Sequence, residues 1–243
     1  MNLRKAYVIA KKDFGTYFNS PIAYIVVVAY LVISGFLFFN ALFDPRGGQE
    51  ASMRPFFGLA PFFFAIFAPA VTMRLLAEEK HTGTIQLLAT LPVRNVEVVV
   101  GKFFAGIGLV AVAIALTIPW AITVSMVGDP DGGAIIGGYL GLLLMCSAYV
   151  ALGLMASSWT RNQIVAFIIG FLLCFVFFMV GKVMPYVADP LVPLLEYLSF
   201  DHHFRNIARG VIDSRNIIYY LSVVVVALAF AGQSLERRKW ARS

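Results

Sequence analysis

Asp201, His202 and His203 are the side chains of this sequence best placed to bind a metal ion. Adjacent histidines on a helix point to different sides of it, which favours an interfacial or capping role over a shared metal site. Cys146 and Cys174 both lie inside apolar runs, where cysteine behaves as a small buried hydrophobic residue. The sequence therefore predicts that this chain itself binds no metal ion and no cofactor.

Two lysines follow glycines, but neither pair belongs to a phosphate-binding loop. Gly101-Lys102 and Gly181-Lys182 both lack the upstream glycine and the following hydroxyl residue of that motif. The sequence contains no H-E-x-x-H zinc-protease motif, and no apolar run pairs a nucleophile with a base. An intramembrane enzyme therefore has no support, and no nucleotide site is encoded.

The composition is that of a polytopic membrane protein. Of the 243 residues, 60% are hydrophobic and only 13% are charged, whereas a soluble domain has about half apolar and about a quarter charged residues. The net charge of +6 does not indicate nucleic-acid binding, because the basic residues separate apolar runs and cluster at the termini instead of forming one patch.

The stretch 78–93 is the longest segment that begins with polar residues and separates two apolar runs. It opens with charged residues, bends at Gly83, and stops at Pro92, which disfavours helix at the preceding residue. Thr82 or Thr84 can cap a short helix after the bend, with apolar side chains at helical spacing along one side: Ile85, Leu88 and Leu91. Such a helix is either a docking surface for a partner or part of an ordinary interfacial loop.

Six apolar runs must position this stretch. Each is long enough to cross a bilayer, and together they predict an all-α polytopic fold with spans at about 21–43, 55–77, 95–127, 134–157, 164–184 and 216–235. Residues 1–20 are predicted to form an amphipathic interfacial helix, with Phe14 on its apolar side and a basic set that reaches lipid headgroups: Arg4, Lys5, Lys11 and Lys12. The alternative for this segment is a disordered basic tail.

The basic residues also predict the orientation of the chain. If both termini are cytoplasmic, most of the 19 lysine and arginine residues lie on the cytoplasmic side. The stretch 78–93 is then cytoplasmic, and residues 186–215 are extracytoplasmic. The middles of the spans carry almost no ionisable residues, which disfavours a carrier coupled to an ion gradient. The energy that drives the chain must then come from another source, and the short cytoplasmic helix is the obvious point at which it would act on the chain.

The stretch 78–93 resembles the coupling segment between the second and third spans of ABC-2 type transporter permeases. The residues that carry the resemblance are Glu78-Glu79-Lys80-x-x-Gly83-Thr84-Ile85-x-Leu87-Leu88-x-x-x-Pro92-Val93. The six spans, the N-terminal helix and the cytoplasmic termini also fit, so the resemblance covers residues 1–243 as a single permease domain. The sequences 199–204, 209–215 and 219–222 are similar to the gliding-motility-associated branch of these permeases, although that name does not establish motility.

The resemblance implies a bacterial plasma-membrane protein that pairs with a second permease chain. A separate P-loop subunit would bind ATP and Mg, and an extracytoplasmic accessory protein is a further expected partner. The implied coupling residues are Glu78, Glu79, Lys80, Gly83, Thr84, Ile85, Leu87, Leu88, Leu91 and Pro92. The implied extracytoplasmic gate residues are His202, His203, Phe204, Arg209, Gly210 and Asp213. The leading hypothesis is an ATP-driven exporter; the alternatives are a non-transporting anchor or mechanical subunit and, less favoured, a passive channel.

Overall fold

The computed structural model describes residues 3–43, 52–84, 93–187, 189–211 and 213–240, and these ranges contain helices and no strand. The helices of the first half are α1 (Leu3–Phe18), α2 (Pro21–Leu42), α3 (Arg54–Thr82), α4 (Asn95–Ala115) and α5 (Ile118–Val127). Those of the second half are α6 (Gly132–Trp159), α7 (Gln163–Val183), α8 (Val192–Leu198), α9 (Phe200–Ala208) and α10 (Ser214–Trp240).

Six helical segments of the described chain are long and apolar enough to span a membrane, which confirms the predicted all-α fold with six membrane-crossing segments. They are α2, α3, α4 with α5, α6, α7 and α10. The third segment is divided at Leu116 and Thr117, just before Pro119, where the sequence predicts a kink. The Thr117 hydroxyl and the Thr117 backbone N–H both donate to the Ile114 carbonyl, at 2.7 and 3.0 Å, at this break.

Contacts between the helices define two ends of the bundle. The end that carries α1 is called here the α1 end. It also holds the last turns of α3, α6 and α10, because the Leu76 N–H of α3 donates to the Ser157 hydroxyl of α6 and the Ser234 hydroxyl of α10 donates to α6. The opposite end, called the α9 end, holds α8, α9 and the first turn of α3, where Phe57 packs against the rings of Tyr139 and Phe204.

The centre of the bundle is the contact between α3 and α6. Small residues allow the two backbones to approach closely: a Cβ on Gly153 would overlap the Thr72 hydroxyl and lie 3.3 Å from the Pro69 Cα. Aromatic rings fill the space toward α2 and α5, where Trp120 stacks on Phe38 with ring centroids 5.9 Å apart. Close packing of this kind fixes α3 as the helix around which the others are arranged.

The N-terminal helix α1 packs along α4. Its Ala6 is buried, and a Cβ on Gly101 would lie 2.8 Å from both the Ala6 carbonyl oxygen and the Ile9 Cβ. Phe14, predicted to lie on the apolar side of this helix, contacts α4 at Gly108. The α1–α4 contact therefore covers part of the helix surface that the sequence assigned to the membrane interface.

Candidate coupling site at the α1 end

The charged head of the stretch 78–93 belongs to the last turns of α3. The helix continues past residue 77, the predicted end of the second span, and stops at Thr82 because Gly83 adopts a left-handed conformation with φ 78°. Thr82, proposed from sequence as a cap for a new helix, donates its hydroxyl back to the Glu78 carbonyl at 2.9 Å and so belongs to the end of α3. Thr84 is exposed and bonds back to the Glu79 carbonyl at 3.4 Å.

The predicted short helix itself lies outside the described residues. The coupling residues that the resemblance implies in this segment are Ile85, Leu87, Leu88, Leu91 and Pro92. The chain is described again from Val93, and α4 begins at Asn95 with a capping box in which the Arg94 backbone N–H donates to Glu97 Oε2 at 3.1 Å. The structure thus describes both flanks of the predicted coupling helix, and the helix stays a prediction.

A buried lysine joins these two flanks to each other and to α1. The Lys102 ammonium on α4 donates to Glu79 Oε1 on α3 at 2.7 Å and to Asp13 Oδ2 on α1 at 2.9 Å. The lysine side chain is only 2% exposed, against 19% for Glu79 and 12% for Asp13. Two carboxylates from two different helices therefore hold one charge that is almost fully removed from solvent.

The opposite side of the same α3 turns is bonded to α6. The Ser157 hydroxyl accepts from the backbone N–H groups of Leu76 and Ala77, at 3.2 and 3.0 Å, and donates to the Met73 carbonyl at 3.0 Å. Next to it, the Lys80 ammonium donates to the Ser158 carbonyl. The hydroxyl of Ser234 on α10 donates to that same carbonyl at 2.8 Å, which adds a third helix to this side of the site.

A second polar contact fastens the junction of α1 and α2 to α3. Arg74 pairs with Glu78 at 2.8 Å and donates to the Ser20 hydroxyl at 3.2 Å. The Tyr17 phenol donates to the Val71 carbonyl at 2.9 Å. Burial, and to a lesser extent the Asp13 carboxylate, raise the pKa of Tyr17 well above its ordinary value, so the hydroxyl stays protonated and remains a donor. A cavity of about 310 Å³ lies between these side chains.

The residues of the predicted gate region lie at the α9 end, but they do not form one cluster. His203 and Phe204 are buried, His202 is half-buried, and an exposed set lies on the following turn and loop: Arg209, Gly210 and Asp213. Gly210 has φ 84°, a left-handed conformation that ends α9. Phe204 and Ile207 pack into the close approach at Gly141 of α6, so α9 is fixed to the bundle by its buried face.

His203 uses both ring nitrogens to hold its neighbours. Its Nδ1 lies 2.7 Å from Asn216 Oδ1 on α10, and its Nε2 lies 3.1 Å from the Tyr197 carbonyl oxygen on α8. Since a carbonyl only accepts, Nε2 carries the proton of that bond. Nearby Asp201 pairs with Arg205 and, at 3.3 Å, with Lys182. These contacts match a structural role for the histidine, and the described residues contain no group of three or more potential metal ligands.

Comparison with known proteins identifies the family. The model of the ABC-2 family transporter protein matches residues 7–240, which is nearly the whole chain. The chain belongs to the ABC-2 transporter family. An ABC-2 permease of this kind is a multi-pass membrane subunit of an ABC transporter. No curated protein matches the chain, and the gliding-motility branch stays a prediction because the match is to the family as a whole.

The basic residues of α1 in this ABC-2 chain face different surroundings. Arg4, Lys11 and Lys12 are exposed and Lys5 is half-buried, so each is at least partly accessible. The acidic residue Asp13 of the same helix is the one that the sequence analysis passed over, although it forms the link to α4.

Other important residues of this permease were also missed. Lys102 was considered only as part of a Gly-Lys pair that lacks the phosphate-loop motif, and its position inside a long apolar run was the signal that marked it. Ser157 was only the last residue of the predicted span 134–157 and Ser158 was not singled out, because serines at such positions are common and their spacing carries no specific pattern.

Proposed function

We propose that this chain is the permease subunit of an ATP-driven exporter in a bacterial plasma membrane, with both termini in the cytoplasm. ATP and Mg bind to a separate P-loop subunit, and the segment 85–92 docks into that subunit. Two permease chains, most simply two copies of this one, form the membrane part of the transporter. Closure of the nucleotide-bound subunits then moves the segment 85–92 and the two helices that flank it.

One observation supports this proposal most directly: the two flanks of the segment 85–92 are joined by a buried ion pair. Glu79 lies in the last turn of α3 and Lys102 in the second turn of α4, with 2.7 Å between the paired atoms. An ordinary surface loop needs no such link, because exposed loops gain little from ion pairs. A segment that receives force from a partner needs rigid flanks, since flexible flanks would absorb the displacement.

The distribution of buried charge supports an external energy source. Among the described residues, the buried ionisable groups that form ion pairs lie at the ends of the bundle: Lys102 and its partners at the α1 end, and Asp201 at the α9 end. Ion-coupled carriers place such groups at mid-membrane, where the coupling ion binds. The permease therefore takes its energy through a cytoplasmic contact.

The first test is purification of the chain from its native membrane in mild detergent, with identification of the proteins that accompany it. We expect a stoichiometric protein with a P-loop motif, retained by the native chain and lost from Leu88→Asp, because a charge on the apolar face opposes docking. Leu191→Asp at the α9 end is the matched control, since it places the same charge on an exposed leucine far from the segment 85–92. Gly83→Pro is expected to insert normally and to lose ATP-dependent activity.

Retention of the ATPase subunit and of full ATP-dependent activity in both Leu88→Asp and Gly83→Pro would contradict the coupling assignment. Vesicles that contain the purified complex separate the remaining alternatives. ATP-dependent movement of a substrate supports an exporter, and ATP hydrolysis without any movement supports an anchoring or mechanical subunit. Conduction without ATP supports a channel.

A further inference from the structure

The contacts of Lys102 have a second consequence, which concerns α1. Asp13 is the α1 residue that reaches the lysine, and its carboxylate binds the same ammonium that holds Glu79. Three helices therefore meet at one nitrogen atom. They are the N-terminal helix and the two helices that flank the segment 85–92.

This meeting point, called here the lock, is the ion triad of Lys102, Asp13 and Glu79. A buried ammonium must be balanced by nearby carboxylates, because removal of one partner leaves an uncompensated charge. The other oxygen of Glu79 is buried and has no hydrogen-bond partner within the described ranges, so Lys102 is the cation that holds this carboxylate. Directional ion pairs of this kind fix the relative position of the helices that carry them.

The packing around the lock is consistent with a fixed α1. Ala6 and Ile9 lie against Gly101, directly before Lys102, at a distance that leaves no room for a side chain on that glycine. Phe14 covers Gly108 about two turns further along α4. Close backbone packing and the ion pair act on the same face of α1, so that neither sliding nor rotation of this helix is possible without breaking the contact with Lys102.

We infer that Lys102 is a positioning residue that locks α1 to both flanks of the segment 85–92, so that α1, the end of α3 and the start of α4 move as one body. The second part of this statement rests on the proposed function, because movement requires the ATP-binding subunit. The first part, a rigid three-helix unit, is a property of the permease chain alone and is tested without any partner.

The rigid unit is measured with pairs of spin labels in the full chain, with Cys146 and Cys174 replaced by alanine. Gly15 on α1, His81 on α3 and Phe104 on α4 are suitable positions because all three are exposed. We expect one narrow distance for each of the three pairs. A pair at Leu140 and Leu172, which joins α6 to α7, serves as the control because it lies outside the lock.

Two substitutions distinguish the ion pair between Lys102 and Asp13 from the ion pair between Lys102 and Glu79. Asp13→Asn removes the charge on α1 and keeps Lys102 paired with Glu79, so we expect loss of the narrow distances to α1 and no change between α3 and α4. Lys102→Met is expected to broaden all three distances, and Arg161→Met, an exposed residue at the same end, is expected to change none. If Lys102→Met does not fold, Asp13→Asn still decides the question.

Restoration of the charges tests whether the ion pair itself is responsible. The double variant Lys102→Asp with Asp13→Lys again places one cation between two carboxylates, and we expect the narrow distances to return. A purely space-filling role predicts no such rescue. Broad α1–α4 distances in the native chain, or narrow ones in Asp13→Asn, would overturn the inference whether or not an ATPase subunit exists.

The movement is tested in the complex with the ATPase subunit. On addition of a non-hydrolysable ATP analogue, we expect the distance from Gly15 to Leu172 to change while that from Gly15 to Phe104 stays constant. In Asp13→Asn, the ATPase subunit should remain bound, and the change in the distance from Gly15 to Leu172 should be lost. Movement of α1 relative to α4 in the native complex would contradict the inference, whereas absence of any ATPase subunit would contradict the proposed function alone.

Discussion

Ser157→Ala is the most informative single substitution at the α3–α6 contact. It deletes one buried hydroxyl that bonds to three backbone groups of α3, at Met73, Leu76 and Ala77. Alanine fits the space and keeps the helix propensity of α6, so the change removes polar contacts without altering the packing. The effect should therefore be confined to the last turns of α3, which precede Gly83.

The expected cost follows from the number and kind of these bonds. A net intramolecular hydrogen bond contributes about 0.5–1.5 kcal/mol, and hydrogen bonds between membrane helices average about 0.6 kcal/mol. Three bonds that share one hydroxyl are not independent of one another, so their contributions do not add in full. We therefore expect about 1–2 kcal/mol, which corresponds to roughly a 5–30-fold change in a local opening equilibrium.

Hydrogen exchange of backbone amides measures this opening directly. Peptides that contain Leu76 and Ala77 should exchange roughly 5–30-fold faster in Ser157→Ala than in the native chain, if exchange is limited by the opening equilibrium. Ser147→Ala is the matched control on the same helix, since within the described part of the chain its hydroxyl bonds only to the Leu143 carbonyl of α6, at 2.8 Å. Unchanged exchange at Leu76 and Ala77 in Ser157→Ala would refute the reasoning.

Two further predictions concern stability, measured by denaturant titration of the purified chain. Gly153→Ala should destabilise the fold by about 1–3 kcal/mol, because its Cβ meets the Thr72 hydroxyl. Gly58→Ala, whose Cβ meets no described residue within 4 Å, should be neutral or stabilising, and equal effects would contradict the packing argument. His203→Leu should cost about 1–3 kcal/mol, because it leaves Asn216 without its partner. His202→Leu should cost less, and the reverse order would argue against the structural role of His203.

The fold could be predicted from the sequence because the thickness of a bilayer sets the length of each apolar span. Each span must be about 20 apolar residues long, and the six runs of this chain are clearly separated by polar turns. The end of α3 was placed less well. Charged residues at 78–80 look like the start of a loop, yet a helix continues through them until Gly83, where the backbone turns into the left-handed region.

The contacts of the candidate site were harder to predict because periodicity defines a helix face but not the surface that covers it. The spacing of α1 placed Ala10, Phe14 and Tyr17 on one side, toward lipid, and gave no reason to expect α4 there. Asp13 was a lone acid among lysines, and its partner lies 89 positions away in the sequence. Pairing at such separation is set by the packing of the whole bundle, so no local pattern contains it.

The two ends of α3 are held by interactions of different kinds, and this difference bears on the mechanism. At the α1 end, directional hydrogen bonds and ion pairs through Ser157, Lys80 and Glu79 fix α3 to its neighbours. At the α9 end, aromatic rings make the contacts, as at Phe56 and Phe57. Directional bonds transmit displacement, whereas packed rings permit small sliding shifts between helices. In the proposed mechanism, displacement of the segment 85–92 therefore enters α3 rigidly and is accommodated at its other end.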